Sequence, residues 1–262
     1  MRYINCKGYA QEILDAVKAV PNKKRLVIMT AGDDPASASY VKGKIKDCEY
    51  CGVPVTQYRV GDAQHLRWSI EFANAAKDVG GIIVQLPLPE GFDEDEATGN
   101  VLITKDVDGF KTGSPFKPCT PEGIVLLLKR ELGDLTGQTA LIIGRGKLVG
   151  RPLMQMLLDE NCTVIVAHSG TRDLDGLLGR CDIIVSAAGK PGLVDLKKCR
   201  AKVVIDAGVN RNSEGKLCGD CYNFDPDDGS DMRVTPVPGG VGLLTRAMLM
   251  KHMGEVSGYA AD

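Results

Sequence analysis

The chain has 262 residues, 44% hydrophobic and 25% charged, with a formal net charge of −2. This balance excludes disordered, collagen-like and coiled-coil chains. The charge gives no electrostatic footprint for nucleic acid, and no apolar run reaches the roughly 18 residues that a membrane span needs. The length favours two modest domains, with one large α/β domain as the alternative.

The first 20 residues predict an amphipathic helix with Ile13, Leu14 and Val17 on one face. They lack the apolar core and the small-residue cleavage site of an export signal. We therefore expect a cytoplasmic protein whose nine cysteines stay thiols in a reducing compartment. The odd number of cysteines also fits poorly with a full disulfide framework.

Short apolar runs rich in β-branched residues predict strands that are covered on both faces, as in a parallel sheet. Helical patterns lie between several of these runs, and this alternation favours βαβ units. The predicted strands are RLVIMT, VPVTQYRV, GGIIVQLPLP, TALIIG, CTVIVAH, CDIIVSAAG and AKVVIDAGVN. The predicted helices are residues 37–51, 65–78, 122–130, 149–160 and 241–255.

Two stretches rich in turn residues predict the domain boundaries. The first is DVDGFKTGSPFKPCTPEG, and the second is the polar, Gly- and Asp-rich stretch of residues 210–231. We therefore predict an α/β catalytic domain formed by both chain ends, residues 1–115 plus 237–262. A Rossmann-like dinucleotide-binding domain, residues 116–236, is inserted between them.

A glycine-rich turn follows the strand TALIIG and leads into a helix. Gly144, Gly146 and Gly150 form the pattern G-x-G-x-x-x-G. Without Cβ atoms, backbone N–H groups and the helix N-terminus can approach a pyrophosphate. A turn with no ligand is the alternative, but the order strand, loop, helix, strand favours a dinucleotide site.

The segment after the next strand indicates which dinucleotide binds. An NAD site usually has an acid there to accept the ribose 2′-hydroxyl, whereas this chain has His168, Ser169 and Gly170. Arg145 and Ser169 can bind a 2′-phosphate through charge-assisted hydrogen bonds. Arg172 is as often a solvated loop charge as a ligand. NADP is therefore favoured over NAD.

A second motif, P-A-S-x-x-Y-V-x-x-K, stands at the start of a predicted helix. Ser37 is the predicted N-cap, and the i,i+4 spacing puts Tyr40 and Lys44 on one face. A lysine held against a tyrosine in an apolar pocket loses part of its preference for the charged form. A solvated surface lysine is the commoner alternative.

Polar residues also stand where predicted strands end. Gln85 closes GGIIVQ, and Asp106 and Asp108 lie in KDVDGF. Ligands of open α/β sheets gather at the carboxyl ends of strands. A further glycine turn, residues 237–242, opens the last predicted helix. Taken singly, each of these features is also explained by turn chemistry.

Taken together and in order along the chain, these motifs resemble those of a known protein family. PASASYVKGK, VQLPLP, DVDGF, PCTPEG, GRGKLVGRP, AHSGT, SAAGKPG, VVIDAGVN and TPVPGGVG occur in this order, and the resemblance extends over roughly residues 8–255. The chain resembles the bifunctional methylenetetrahydrofolate dehydrogenase/methenyltetrahydrofolate cyclohydrolase family. The resemblance implies NAD(P)-dependent oxidation of 5,10-methylenetetrahydrofolate, then hydrolysis to 10-formyltetrahydrofolate, in one-carbon metabolism and purine biosynthesis. It also implies a homodimer, and no metal.

The resemblance also implies roles for particular residues. Lys44 matches the catalytic lysine and Tyr40 its partner that stacks on the folate. Gln85 orients Lys44, and Asp108 binds the pterin. The other implied substrate contacts are Val84, Leu86, Pro238, Gly239, Gly240, Val241 and Gly242. The implied cofactor contacts are Thr120, Gly144, Arg145, Gly146, Val149, Gly150, Ser169 and Val209.

The chain departs from the family pattern at two places. Gly146 stands where the family usually has serine, which removes a hydroxyl donor and puts strict NADP preference in question. Leu243 and Leu244 replace a usual Pro-Met pair. Two alternatives therefore stay open: a folate- or nucleotide-binding homologue that has lost activity, and a dehydrogenase of another substrate, such as a shikimate-type enzyme.

Two CxxC pairs invite a zinc or redox interpretation. Cys48 and Cys51 form one pair, and Cys218 and Cys221 form the other. We predict that all four are small buried hydrophobic residues, because the first pair lies within a predicted helix.

Overall fold

The computed structural model describes residues 1–258. The chain forms two compact α/β units, as predicted. Unit 1 comprises residues 1–10 and 120–245, and unit 2 comprises residues 11–119 and the described residues from 246 onward. The chain passes between the units at three places: residues 10/11, 119/120 and 245/246.

The helices are α1 (Cys6–Lys18), α2 (Pro35–Cys51), α3 (Ala63–Ala75), α4 (Glu94–Gly99), α5 (Cys119–Leu132), α6 (Gly150–Asp159), α7 (Leu174–Leu178) and α8 (Val241–Val256), with 3-10 turns at Ile103–Lys105 and Leu196–Lys198. The strands are β1 (Arg2–Tyr3), β2 (Arg25–Ala31), β3 (Val55–Val60), β4 (Val79–Val84), β5 (Thr139–Ile143), β6 (Thr163–Ala167), β7 (Ile183–Ser186), β8 (Val194–Asp195), β9 (Val203–Asp206), β10 (Asn210–Arg211), β11 (Leu217–Cys218), β12 (Cys221–Tyr222) and β13 (Arg233–Val234).

Unit 2 is built on a three-stranded parallel sheet in the order β3-β2-β4. Every residue of β4 is buried, as its unbroken apolar sequence predicts. Met29 of β2 and Ile70 of α3 lie in the core on one side of this sheet. The polar residues that follow β2 and β4 therefore emerge at the same carboxyl edge of the sheet.

Helix α2 begins two residues before the predicted start. Its N-cap is Asp34, whose carboxylate accepts the backbone N–H of Ser37 at 2.8 Å, and Pro35 occupies the first turn. The prediction of Ser37 as N-cap was wrong because proline at the first helical position fits the helix without needing its missing N–H. The helix ends at Gly52, which has a φ of 68°.

Unit 1 is built on a six-stranded parallel sheet in the order β1-β13-β9-β7-β5-β6. Leu141, Ile184 and Val204 lie in its core and are fully buried. The chain runs from β5 outward to β6 and then returns to the other side of β5 at β7. The point where the strand order reverses therefore lies between β5 and β7, which is where ligands bind in open α/β sheets.

The units have different bounds from the predicted domains. Residues 1–10 belong to unit 1, because β1 pairs with β13 through Arg2 and Arg233 as the edge strand of its sheet. Residues 237–245 also belong to unit 1. A two-residue strand has no periodic pattern, so the sequence gives no signal for this pairing.

Within residues 1–258, no helix combines the length and apolar character that crossing a membrane requires.

Candidate active site

A buried lysine and a glutamine form the centre of the candidate site in unit 2. Lys44, in α2, is 5% exposed, and its Nζ donates a hydrogen bond to Gln85 Oε1 at 3.2 Å. Gln85 follows β4, and its Nε2 donates to the carbonyl of Leu86 at 2.7 Å. Because the N–H groups of the amide are directed to that carbonyl, its oxygen is left to accept from the lysine.

Tyr40 lies one turn before Lys44 on α2. The lysine Nζ is 5.2 Å from the centre of the tyrosine ring, within the range of a cation–π contact. Tyr40 is half-buried, whereas Lys42, on the same helix, is exposed. The helical spacing therefore brings together the two residues that the sequence pattern singled out.

The two acids of the DVDG segment have different surroundings. Asp106 is buried, and its Oδ2 accepts the backbone N–H of Lys111 at 2.9 Å. This hydrogen bond stabilises the loop of residues 106–111. Burial raises the pKa of Asp108, and the nearby Asp106 carboxylate raises it too, while the charges of Lys44 and His252 partly oppose this. Asp108 is thus the acid in electrostatic contact with Lys44.

His252 is a residue of this region that the sequence analysis left without a role. It is 1% exposed in α8, and its Nδ1 donates to the carbonyl of Val107 at 2.8 Å. The ring of Phe116 stacks on the imidazole with centroids 4.8 Å apart. His252 therefore holds the backbone between Asp106 and Asp108. It lies 145 residues from Val107 in sequence, so no local pattern could have indicated this contact.

Two further predicted substrate residues flank Gln85. Val84 is buried and packs in the core of unit 2, and Leu86 is half-buried against the same core. The peptide bond between Leu86 and Pro87 is cis. The side chain of Val84 is therefore part of the packing beneath Gln85.

The glycine loop of unit 1 lies at the reversal of strand order. Gly144 follows β5 with a φ of 113°, and a Cβ there would overlap the carbonyl oxygen of Ala187, which follows β7. A Cβ on Gly150, at the start of α6, would overlap the carbonyl of Gly144. Arg145 and Gly146 are exposed, and Val149 is half-buried at the N-cap. Close backbone packing beside a helix N-terminus fits a pyrophosphate.

The turn after β6 forms its own internal hydrogen bonds. Thr171 Oγ1 accepts the backbone N–H of His168 at 2.9 Å, and the imidazole of His168 accepts the N–H of Gly170 at 3.1 Å. Ser169 and Arg172 are exposed. The first acid after β6, Asp173, caps α7 by accepting the N–H of Gly176 at 3.0 Å.

The remaining predicted residues all lie in unit 1. Thr120 and Thr245 share a hydrogen bond between their hydroxyls at 3.0 Å, and Val209 is strongly exposed after β9. Pro238, which follows a cis peptide bond, and Gly239 are exposed. Gly240 and Val241 are buried where α8 starts, and Gly242 is exposed.

The nine cysteines are free thiols. Cys48 and Cys51 are buried, as predicted, and burial raises the pKa of Cys48 to about 12. The prediction was wrong in degree for Cys218 and Cys221, which are half-buried because they lie in two-residue strands outside the main sheet. Among residues 1–258, no group of three or more His, Cys, Asp or Glu side chains is arranged to hold a metal ion.

These features define a class of protein. A glycine loop at the reversal point of a parallel sheet indicates a dinucleotide-binding unit, and a buried lysine hydrogen-bonded to an amide indicates a catalytic unit. Family models match both: the catalytic domain of tetrahydrofolate dehydrogenase/cyclohydrolase over residues 4–108, and its NAD(P)-binding domain over residues 118–260. The chain belongs to the tetrahydrofolate dehydrogenase/cyclohydrolase family.

Individual relatives agree with the family models. The chain is 42% identical over 243 residues to the bifunctional protein FolD of Agathobacter rectalis, covering 88% of this chain and 87% of that protein. It matches a crystal structure of the bifunctional FolD dehydrogenase/cyclohydrolase from Campylobacter jejuni with a TM-score of 0.89 and 35% identity over 97% of both chains.

A Trypanosoma brucei FolD structure with NADP and an inhibitor gives a TM-score of 0.88 and 27% identity, covering 97% of this chain and 96% of that one. The predicted family, the two-domain α/β fold and the folate dehydrogenase and cyclohydrolase activities are thus confirmed.

Proposed function

We propose that Lys44, Tyr40, Gln85 and Asp108 carry out the folate chemistry of this chain, and that NADP is its preferred cofactor. The observation that supports this most strongly is the buried hydrogen bond from Lys44 Nζ to Gln85 Oε1 at 3.2 Å, beside the Tyr40 ring. Burying a lysine costs free energy that the hydrogen bond to a neutral amide offsets only in part, so a lysine kept in such a place is a candidate functional group.

Oxidation of methylenetetrahydrofolate and hydrolysis of the methenyl product require different contributions from these residues. NADP, when bound, accepts a hydride from the methylene carbon. This step needs alignment more than a base, because the folate nitrogens stabilise the methenyl cation. Tyr40 stacks on the folate, Asp108 binds the pterin, and residues 238–242 line the folate and nicotinamide positions. Thr120, Val209 and the glycine loop contact the cofactor.

Hydrolysis requires proton handling. Water adds to the methenyl carbon and loses a proton. The bond from that carbon to one folate nitrogen then breaks while the new hydroxyl loses its proton to become the formyl oxygen, and that nitrogen takes up a proton. The formyl group stays on the other nitrogen. Lys44 is the group that moves the proton, and Gln85 directs its Nζ. The net reaction consumes one water and releases one proton.

The surroundings of β6 support NADP over NAD. The residues from His168 to Arg172 carry no carboxylate that would repel a 2′-phosphate, and the carboxylate of Asp173 is engaged as a helix cap. Ser169 and Arg145 are exposed and can donate to a phosphate. Gly146 offers no hydroxyl donor, so we expect NAD to be used as well, but less efficiently.

The decisive measurement follows the absorbance of methenyltetrahydrofolate. Purified protein is given methylenetetrahydrofolate with NADP or NAD, and separately methenyltetrahydrofolate alone. Lys44→Ala should lower hydrolysis by about 100-fold or more, while Lys42→Ala, an exposed change on the same helix, should leave both steps unchanged. Unchanged hydrolysis in a folded Lys44→Ala variant would remove Lys44 from this role. Cofactor binding without oxidation by the wild type would favour a binding protein.

We also propose a homodimer that works in the cytoplasm and supplies one-carbon units for purine biosynthesis. Trp68 and Phe72 lie on adjacent turns of α3 and are 59% and 66% exposed. Large apolar side chains exposed together are common at subunit interfaces. Light scattering on the purified chain and on Trp68→Lys tests the dimer. A monomeric wild type would contradict it.

A further inference from the structure

Two buried carboxylates of unit 1 have no part in the proposed chemistry. Asp206 ends β9 and is 3% exposed, and Asp220 stands between β11 and β12 and is 0% exposed. Burying a carboxylate is costly unless it accepts several hydrogen bonds. The partners of these two acids therefore indicate which part of the structure they fix.

Asp220 accepts hydrogen bonds from three consecutive backbone N–H groups. Its Oδ2 accepts from Ala188 at 2.9 Å and from Gly189 at 3.3 Å, and its Oδ1 accepts from Lys190 at 2.8 Å. The Ser186 hydroxyl, at 2.7 Å, and the Asn210 amide, at 2.9 Å, complete the set. One carboxylate thus fixes the loop of residues 187–190, hereafter the β7 loop.

The β7 loop forms one side of the predicted dinucleotide crevice. It begins at the carboxyl end of β7, and Gly144 of the glycine loop begins at the carboxyl end of the neighbouring β5. The two loops meet so closely that a Cβ on Gly144 would overlap the carbonyl oxygen of Ala187. A shift of the β7 loop would therefore move the backbone that flanks the pyrophosphate position.

Asp206 fixes the backbone at Asp220 through hydrogen bonds. Its carboxylate accepts the backbone N–H groups of Asp220 at 3.0 Å and Cys221 at 2.8 Å, and that of Gly208 at 2.9 Å. Two glycines leave room for this arrangement: a Cβ on Gly208 would overlap the Asp220 carboxylate, and one on Gly219 would overlap that of Asp206.

From these contacts we infer that Asp220 is a positioning residue for the dinucleotide. Through the β7 loop it sets the shape of the crevice that binds NADP, without contacting the reacting atoms. The inference rests on the proposed function only in naming the dinucleotide. Its predicted consequence is a selective one: loss of the Asp220 carboxylate weakens cofactor binding and leaves cofactor-independent hydrolysis in place.

The test compares Asp220→Asn with the wild type in the full-length protein. Isothermal titration measures the dissociation constant for NADP, and the hydrolysis of supplied methenyltetrahydrofolate is measured without cofactor. An asparagine cannot accept from all three backbone N–H groups. We therefore expect NADP binding to weaken by about tenfold or more, with hydrolysis within about twofold of the wild type.

Asp182→Asn is the matched control. Asp182 is half-buried and accepts the backbone N–H of Thr139 at 2.9 Å, but it precedes β7 and so lies at the opposite edge of the same sheet. This variant should keep the NADP affinity of the wild type. Weakened NADP binding equal to that of Asp220→Asn would show a general loss of sheet stability and overturn the inference.

Two further variants keep the test decisive if Asp220→Asn does not fold. Ser186→Ala removes one of the hydrogen bonds to Asp220 and should weaken NADP binding by about two- to fivefold. Gly208→Ala should displace the Asp220 carboxylate without removing its charge. We expect NADP binding to weaken more in this variant than in Ser186→Ala. Unchanged NADP affinity in these folded variants, or equal loss of hydrolysis, would overturn the inference. NADP binding without methylenetetrahydrofolate oxidation would instead count against the proposed function alone.

Discussion

At the scale of single residues, Asp108 combines a proposed binding role with a cost to stability. Burial raises the pKa of its carboxyl, so the folded protein holds the ionised form less readily than the unfolded chain does. A group whose pKa is raised on folding opposes folding as the pH rises through that raised pKa, and has no such effect below the unfolded pKa. Ionisation of Asp108 therefore costs the folded protein stability.

We therefore expect Asp108→Asn to be more stable than the wild type at pH 7, with the gain disappearing as the pH falls below about 4. Urea unfolding at both pH values measures this difference, and the KM for methylenetetrahydrofolate should rise in the same variant. Asp231→Asn, at an exposed position, is the control and should change neither quantity. A variant less stable than the wild type at pH 7 would contradict the expected sign.

At the scale of secondary-structure elements, the start of α2 determines where Tyr40 and Lys44 are placed. Asp34 accepts the N–H of Ser37 at 2.8 Å and that of Ala36 at 3.4 Å, which satisfies two donors of the first turn. An acid at this end also interacts favourably with the helix dipole. The cap lies less than three turns before Lys44.

Asp34→Ala should therefore lower the free energy of unfolding by about 1 kcal/mol. Urea unfolding measures the loss. Ser39→Ala, exposed on the same helix, is the control and should change stability by less than about 0.5 kcal/mol. Asp34→Ala weakens the start of α2 but keeps Lys44 itself. We therefore expect hydrolysis to fall less in Asp34→Ala than in Lys44→Ala. An equal loss of stability in both surface variants would argue against the cap.

What the sequence could predict depended on the range of the interactions. The strands β2, β4 and β5 were predicted because burial on both faces produces continuous apolar runs. The pairing of Tyr40 with Lys44 was also predicted, because i,i+4 spacing is a local property of a helix. The contacts of Asp220 with the β7 loop were not, because 30 to 32 residues separate the partners. Strand β1 was missed because its two residues are too few to show a periodic pattern.

At the scale of the whole molecule, the predicted cofactor residues all lie in unit 1. A ligand that binds the folded form stabilises it by about 2.7 kcal/mol at 100 times its Kd. We expect NADP at that concentration to slow amide hydrogen exchange most strongly in residues 144–150, 186–190 and 208–221. Peptides from residues 25–75 of unit 2 serve as the internal control. Slowing that is uniform across both sets would contradict a crevice built by unit 1.

The three places at which the chain passes between the units have a genetic consequence. The first lies within α1, the second at the start of α5, and the third within α8. Residues 11–119 alone would lack Met248 and Met253, buried side chains that α8 supplies to unit 2. Neither unit corresponds to one uninterrupted stretch of coding sequence. A single recombination breakpoint therefore cannot exchange one unit for that of a relative: swapping the catalytic unit requires crossovers at all three positions, inside segments that encode helices.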